Sequence, residues 1–155
     1  MQLHKNPWRF YEIELLNNGL TAGFEAFLDY CDRNPKDNTV ICIWTIAFCV
    51  GKKKKHVKQW IEGGCPVLDE KITGKGDLTN LIWAKNKLLE LEKEFKNGNS
   101  LICDDNITNK IVVHWADNRR RNAYEKYLTK KMGYSIDRYD NKKCLMKIIK
   151  KEGDC

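Results

Sequence analysis

Residues 69–95, DEKITGKGDLTNLIWAKNKLLELEKEF, set two glycines, Gly74 and Gly76, just ahead of a long run with apolar residues at helical spacing. A glycine has no Cβ and lets the chain come close to a ligand. The first N–H groups of a helix have no partner within it, and the helix dipole favours negative charge there. Such an end is a natural seat for a phosphate. The segment Lys71-Ile72-Thr73-Gly74-Lys75-Gly76 has the glycines and adds two ammonium groups, but it is not the P-loop pattern GxxxxGK[ST]. Taken alone it reads as a turn that starts a helix, with phosphate binding as the alternative. Asp77 or Thr79 can cap that helix, Leu78, Leu81, Ile82, Leu88, Leu89 and Phe95 supply its apolar stripe, and NGN (97–99) ends it.

Upstream, WRFYEIELL (8–16) alternates as a strand and NNG turns the chain. LTAGFEAFLDYCDRN then places Leu20, Phe24, Phe27, Leu28 and Cys31 on one face of an expected helix. The apolar, β-branched stretch 39–50 reads as a buried strand. GKKKKHVKQWIEGG is a helix with Val57, Trp60 and Ile61 inward, closed by two glycines. Downstream, SLICDD and KIVVHWAD read as a hairpin around NITN, and NRRRNAYEKYLTKKMGY as a helix ending at Gly133. SIDRY and KCLMKIIKK read as strands joined by DNKK. The expected order is β, α, β, α, α, β, β, α, β, β. This is an α+β fold with a single mixed, mostly antiparallel central sheet flanked by helices.

A chain of 155 residues with 42% apolar content is expected to form one domain, 1–155, burying roughly two thirds of its unfolded surface. No apolar run reaches the roughly 20 residues of a membrane span. The opening MQLHKNPWRFYEIELL lacks the basic-then-apolar layout of a signal segment, so the expectation is a cytoplasmic protein without a membrane partner. The seven cysteines are odd in number and form no CxxC pair, which points to reduced thiols, with Cys42 and Cys49 as small hydrophobes inside a strand and Cys155 the most open to oxidation. The histidines and cysteines do not assemble into a ligand spacing, so no metal is expected. The net charge of +7 suits an anionic partner: nucleic acid, a phosphate-bearing cofactor or an acidic protein.

Residues 110–151 give the glycine loop a context. Asn118 opens a helix that carries Ala123 and, four residues later, Tyr127; the pair Gly133-Tyr134 then precedes the terminal LMKIIKK. This arrangement resembles the end of the GNAT family of acyl-CoA-dependent N-acyltransferases. That family's cofactor loop (Gln or Arg, two residues, Gly, any residue, Gly or Ala, then a helix) is similar to Lys71–Gly76. The resemblance covers residues 66–151. Lys71 stands where the family has Gln or Arg, Asn118 precedes Ala123 by five residues rather than three, and CPVLDEK before the loop is a short, acidic strand.

The resemblance implies a GNAT-like fold and transfer of an acyl group, usually acetyl, from acetyl-CoA to a primary amine by direct attack on the thioester. It implies a pyrophosphate on the amides of residues 74–78, with Lys71 and Lys75 supplying charge and Thr73, Asp77, Leu78 and Asn118 beside the cofactor. Developing negative charge on the carbonyl oxygen needs a positioned N–H donor. Tyr127 is the family-type acid for the leaving thiolate, with Tyr124 and Tyr134 as substitutes. Asp69, Glu70, Asp117 and His114 are candidate bases for the amine.

Each residue also has a plainer role. Tyr124, Tyr127 and Leu128 form an i, i+3, i+4 stripe suited to a core, and His114 alternates within a strand. Lys52–Lys55 and Arg119–Arg121 can be solvated faces or phosphate contacts. Three arginines at a helix start oppose the dipole, which a bound anion would offset. The second function class is therefore a non-catalytic basic binding or inhibitory protein, of the small Lys- and Asn-rich kind found in phages and mobile elements, contacting nucleic acid or an acidic protein.

Overall fold

The computed structural model describes residues 4–6, 8–63, 79–97, 107–113, 118–139 and 142–150. The elements run β1 (His4–Asn6), β2 (Arg9–Leu15), β3 (Thr21–Arg33), β4 (Val40–Gly51), α1 (Lys54–Ile61), α2 (Thr79–Lys96), β5 (Ile107–Val113), α3 (Asn118–Lys131), β6 (Ser135–Tyr139) and β7 (Lys142–Ile149). The fold is α+β with one mixed sheet. Among the described residues its strand order is β1-β2-β3-β4-β5-β7-β6. Strand β4 runs parallel to β5, from Val40 opposite Ile107 to Ile46 opposite Val113. The β1–β2, β5–β7 and β6–β7 pairs are antiparallel. Parallel neighbours cannot be joined by a tight turn, and the connection between β4 and β5 accordingly carries α1 and α2.

The structure corrects several expectations. Residues 21–33 are strand β3, not a helix. Leu16 N–H donates to Leu20 O at 2.7 Å and Gly19 N–H to Leu16 O at 3.0 Å, so the NNG turn folds β3 directly back onto β2. Pairing with β2 and β4 satisfies the β3 backbone, and this tertiary context overrides the helical spacing of its apolar residues. Residues 107–109 of the expected NITN turn lie inside β5, whose partners are β4 and β7; SLICDD lies outside the described residues. The stripe of α2 is rotated from the expected one. Ile82 and Leu89 are 50% and 47% exposed, and the buried face carries Asn80, Trp83, Ala84, Lys87, Leu88, Leu91, Glu92 and Phe95.

Cys31 and Cys42 are joined as a disulfide rather than being reduced thiols. As neighbouring strands, β3 and β4 bring these residues together with Cα atoms 4.1 Å apart. The turn beyond is held locally: Asn34 N–H donates to Thr39 O at 2.8 Å, and Thr39 Oγ1 donates to Asp37 Oδ1 at 2.7 Å. A Cys31→Ser variant is expected to lose about 3 kcal/mol of unfolding free energy relative to the oxidised protein, from the extra entropy of an unfolded chain without its cross-link. Denaturant titrations of the two proteins measure this, and coincident midpoints would reject it.

The chain groups into two compact units, residues 1–26 with 47–94 and residues 27–46 with 95–155. In the first, successive side chains of β2 point to opposite faces. Arg9 bonds Glu25 at 2.8 Å, donates to the carbonyl of Ile61 at the end of α1, and stacks over Tyr11. Glu12 and Glu14 turn the other way, to α2. Helices therefore cover both faces of β2. Gly23 is the close-approach point: a Cβ there would meet Val57 Cγ1 at 2.8 Å, Cys49 Sγ at 3.1 Å and Trp60 at 3.2 Å.

In the second unit, Ile43, Val112, Cys144 and Met146 form a buried cluster. Burial, then the nearby Asp137 carboxylate, pushes the Cys144 thiol up against an opposing effect of Lys110, so it packs as an inert small hydrophobe. Trp44 packs against Phe95 with ring centroids 5.1 Å apart, and its Nε1 donates to Asn109 Oδ1 at 2.9 Å. Helix α3 ends as its sequence implies. Gly133 has φ +76°, Tyr134 N–H reaches back to Leu128 O at 3.1 Å, and Lys147 Nζ donates to Met132 O at 2.6 Å.

Candidate functional site

A polar ladder lies between the β2 hairpin and α2. Alternation puts Glu12 and Glu14 on one side of β2, and helical spacing puts Asn80, Trp83 and Lys87 on one side of α2. Asn18 Nδ2 donates to Asn80 Oδ1 at 3.0 Å. Trp83 Nε1 donates to Glu14 Oε2. Lys87 Nζ pairs with Glu12 Oε2, reaches Glu90 Oε2 at 3.2 Å and lies 5.4 Å from the centre of the Trp83 ring. Phe48 of β4 packs on the same Trp83 ring, with centroids 5.9 Å apart.

The lysine and its main partner are almost dry, with side-chain exposures of 4% for Lys87 and 3% for Glu12. Burial alone would lower the Lys87 pKa, but the bond and charge of Glu12, then those of Glu90, raise it above the ordinary lysine value. Lys87 is thus a fixed ammonium and not a nucleophile. A buried pair of this kind adds little net stability over an apolar pair, but it fixes geometry because neither charge tolerates losing the other. Here it sets the rotation of α2 about its axis. With the Trp83 and Asn80 rungs it holds the helix start, which follows the glycine loop in sequence.

Glu12, Glu14, Asn80 and Lys87 were absent from the sequence-derived candidates. The signal was available: Asn80 and Lys87 share the helical stripe of Trp83, Leu91 and Phe95, and Glu12 shares the alternating face of Phe10. Polar groups at core positions need partners.

Of the residues singled out in the sequence, Lys71, Thr73, Gly74, Lys75, Gly76, Asp77, Leu78, His114 and Asp117, like Asp69 and Glu70, lie outside the described residues. Asn118 is the first residue of α3, and Tyr124 and Tyr127 follow on that helix. Tyr127 is half-buried and its neighbour in sequence, Leu128, is buried. Tyr134 is buried under the Lys147 ammonium, 5.4 Å from its ring centre.

Lys52–Lys55 are all exposed at the start of α1, where Lys53 as N-cap makes no side-chain capping bond and the first turn holds no acid. Arg119–Arg121 lie in the first turn of α3. Among the described residues no group of three or more His, Cys, Asp or Glu is placed to hold a metal, and no helix is long and apolar enough to cross a membrane. Comparison with protein-family models, with curated proteins and with solved structures finds no match for this chain.

Proposed function

We propose that this chain is an acyl-CoA-dependent N-acyltransferase of GNAT type that moves an acetyl group from acetyl-CoA to a primary amine. The observation that carries the reading is the parallel β4–β5 pair: its long crossover contains the loop Lys71–Gly76 and continues into α2 at Thr79. A glycine-bearing segment that leads into a helix N-terminus within a crossover of a mixed sheet is a setting suited to a phosphoryl group. The polar ladder anchors the helix whose amides would do the binding.

In this reading the amides of residues 74–78 hold the coenzyme pyrophosphate, and Lys71 and Lys75 add charge. Thr73, Asp77, Leu78 and Asn118 line the coenzyme. The thioester carbonyl needs an N–H donor where negative charge develops. Tyr127, half-buried on α3, protonates the departing sulfur, with Tyr124 as the substitute. Asp69, Glu70, Asp117 or His114 takes the proton of the attacking amine, directly or through water.

Acetyl-CoA at a hundred times its dissociation constant is expected to raise unfolding free energy by about 2.7 kcal/mol. Gly74→Asp is expected to abolish that shift by placing a carboxylate where the pyrophosphate would lie. No shift in the unaltered protein, or an undiminished shift in the variant, would reject the assignment.

One observation favours the second reading, a non-catalytic basic protein that contacts nucleic acid or an acidic partner: the lysines 52–55 are all exposed. Duplex binding through them would weaken steeply between low and moderate salt. A flat salt response would count against it.

A further inference from the structure

The Cys31–Cys42 bond joins an exposed residue to a buried one. Cys31 is exposed near the end of β3, whereas Cys42 is 7% exposed in β4. The turn between them closes on bonds of its own. Asn34 N–H donates to Thr39 O at 2.8 Å, Asn38 N–H to Asn34 O at 2.9 Å, and Thr39 N–H to Asp37 Oδ1 at 3.1 Å. On its other side β4 is paired with β5 from Val40 to Ile46, with Cys42 opposite Asn109. Strands β3 and β4 therefore stay neighbours whether or not the two sulfurs are bonded.

This has two chemical consequences. Opening the bond does not require the strands to part, and Cys42 as a thiol suits a buried strand position as a small hydrophobe. Closing it again costs no new loop entropy, because the hairpin already holds the thiols side by side. The exposure of Cys31 adds the third requirement. Thiol–disulfide exchange depends on access of a thiolate to a sulfur, and exposed disulfides are the labile ones.

We infer that Cys31–Cys42 is a reversible thiol-exchange site, with Cys31 the position that takes up a small-molecule thiol of the glutathione class. The small thiolate attacks the Cys31 sulfur. A mixed disulfide forms there, the Cys31–Cys42 bond breaks, and its electron pair leaves on the Cys42 sulfur, which takes a proton from water. A second small thiol attacks the mixed disulfide, frees Cys31 as a thiol and departs with the first as the oxidised small disulfide. Two electrons thus pass from two small thiols to the protein couple, and the small disulfide drives the reverse sequence. The inference rests on the β3–β4 hairpin alone and is independent of the acyl-CoA reading.

The test uses the full-length protein purified in air without reductant. Samples are quenched with acid, alkylated and mapped by peptide mass spectrometry. The bond is expected at the start. Reduced glutathione at neutral pH is expected to open it with the far-UV circular dichroism unchanged, and oxidised glutathione to restore it. Two variants locate the site. Cys42→Ser lacks the thiol that would expel the adduct, so oxidised glutathione is expected to leave it glutathionylated at Cys31. Cys31→Ser is expected to show no adduct on Cys42, whose burial denies access.

Free thiols at both positions in the starting protein would overturn the inference. A bond that opens to glutathione only in denaturant would make it a purely structural cross-link, as would loss of the native circular dichroism on reduction. An adduct on Cys42 in place of Cys31 would overturn the assignment of the exchanging sulfur.

Discussion

Lys87→Met is expected to lower the unfolding free energy by about 3–5 kcal/mol, the usual penalty for stranding one member of a buried ion pair. Glu12 would remain with its side chain 3% exposed and its counter-charge gone. Trp83 would also lose the ammonium beside its ring. The double variant Glu12→Leu with Lys87→Met removes both charges and is expected to recover most of that loss, since an apolar pair of similar volume fills the same space. Denaturant titrations of the single and double variants measure both effects. A single-variant loss below about 1 kcal/mol would place the pair in a wet, surface-like environment instead.

The pH dependence has a definite sign. The folded-state pKa of Lys87 is raised above 10.5, the pair with Glu12 and Glu90 outweighing burial. Its contribution is complete below that value and is lost as pH rises through the folded pKa, because the unfolded lysine gives up its proton first. The unaltered protein should therefore lose stability more steeply than Lys87→Met at strongly alkaline pH.

The second large effect belongs to the other compact unit. Trp44→Ala is expected to cost about 3–5 kcal/mol. Trp44 is 1% exposed, its ring meets Phe95 at 5.1 Å, and its indole N–H satisfies the buried carbonyl of Asn109 at 2.9 Å. Trp44→Phe keeps much of the packing but deprives Asn109 of that donor, so a smaller loss of about 1–3 kcal/mol is expected. Equilibrium unfolding in urea distinguishes the two variants. Equal losses would mean that the hydrogen bond, and not the ring, dominates the site.

Much of the architecture could be read locally. Val57 and Ile61 at helical spacing before a double glycine gave α1, the β-branched run gave β4, and Gly133 marked the end of α3. These signals depend on groups a few residues apart. The misreading of 20–34 shows where such signals stop. Leu20, Phe24, Phe27, Leu28 and Cys31 fit a helical face, yet the segment sits between β2 and β4 as a strand, and Phe27 and Cys31 are exposed. The parallel pairing of β5 with β4 was equally hidden, because nothing near residues 107–113 names a partner strand at 40–46.

The candidate site was legible only in pieces. A polar residue on an apolar stripe is visible in the chain; what it bonds to is not. Asn18 and Asn80 are 62 residues apart, Glu14 and Trp83 are 69 apart, and Trp44 and Asn109 are 65 apart. By itself the sequence determined the α+β class, most helix positions and the closing β6–β7 hairpin. Those follow from side-chain periodicity and backbone preference within a turn or two. Only the tertiary structure decided that β3 is a strand, that Cys31 meets Cys42, and that Lys87 and Asn80 face β2 and its turn. These outcomes depend on which distant segments share a surface, since a buried charge or amide is tolerated only where another segment brings its partner.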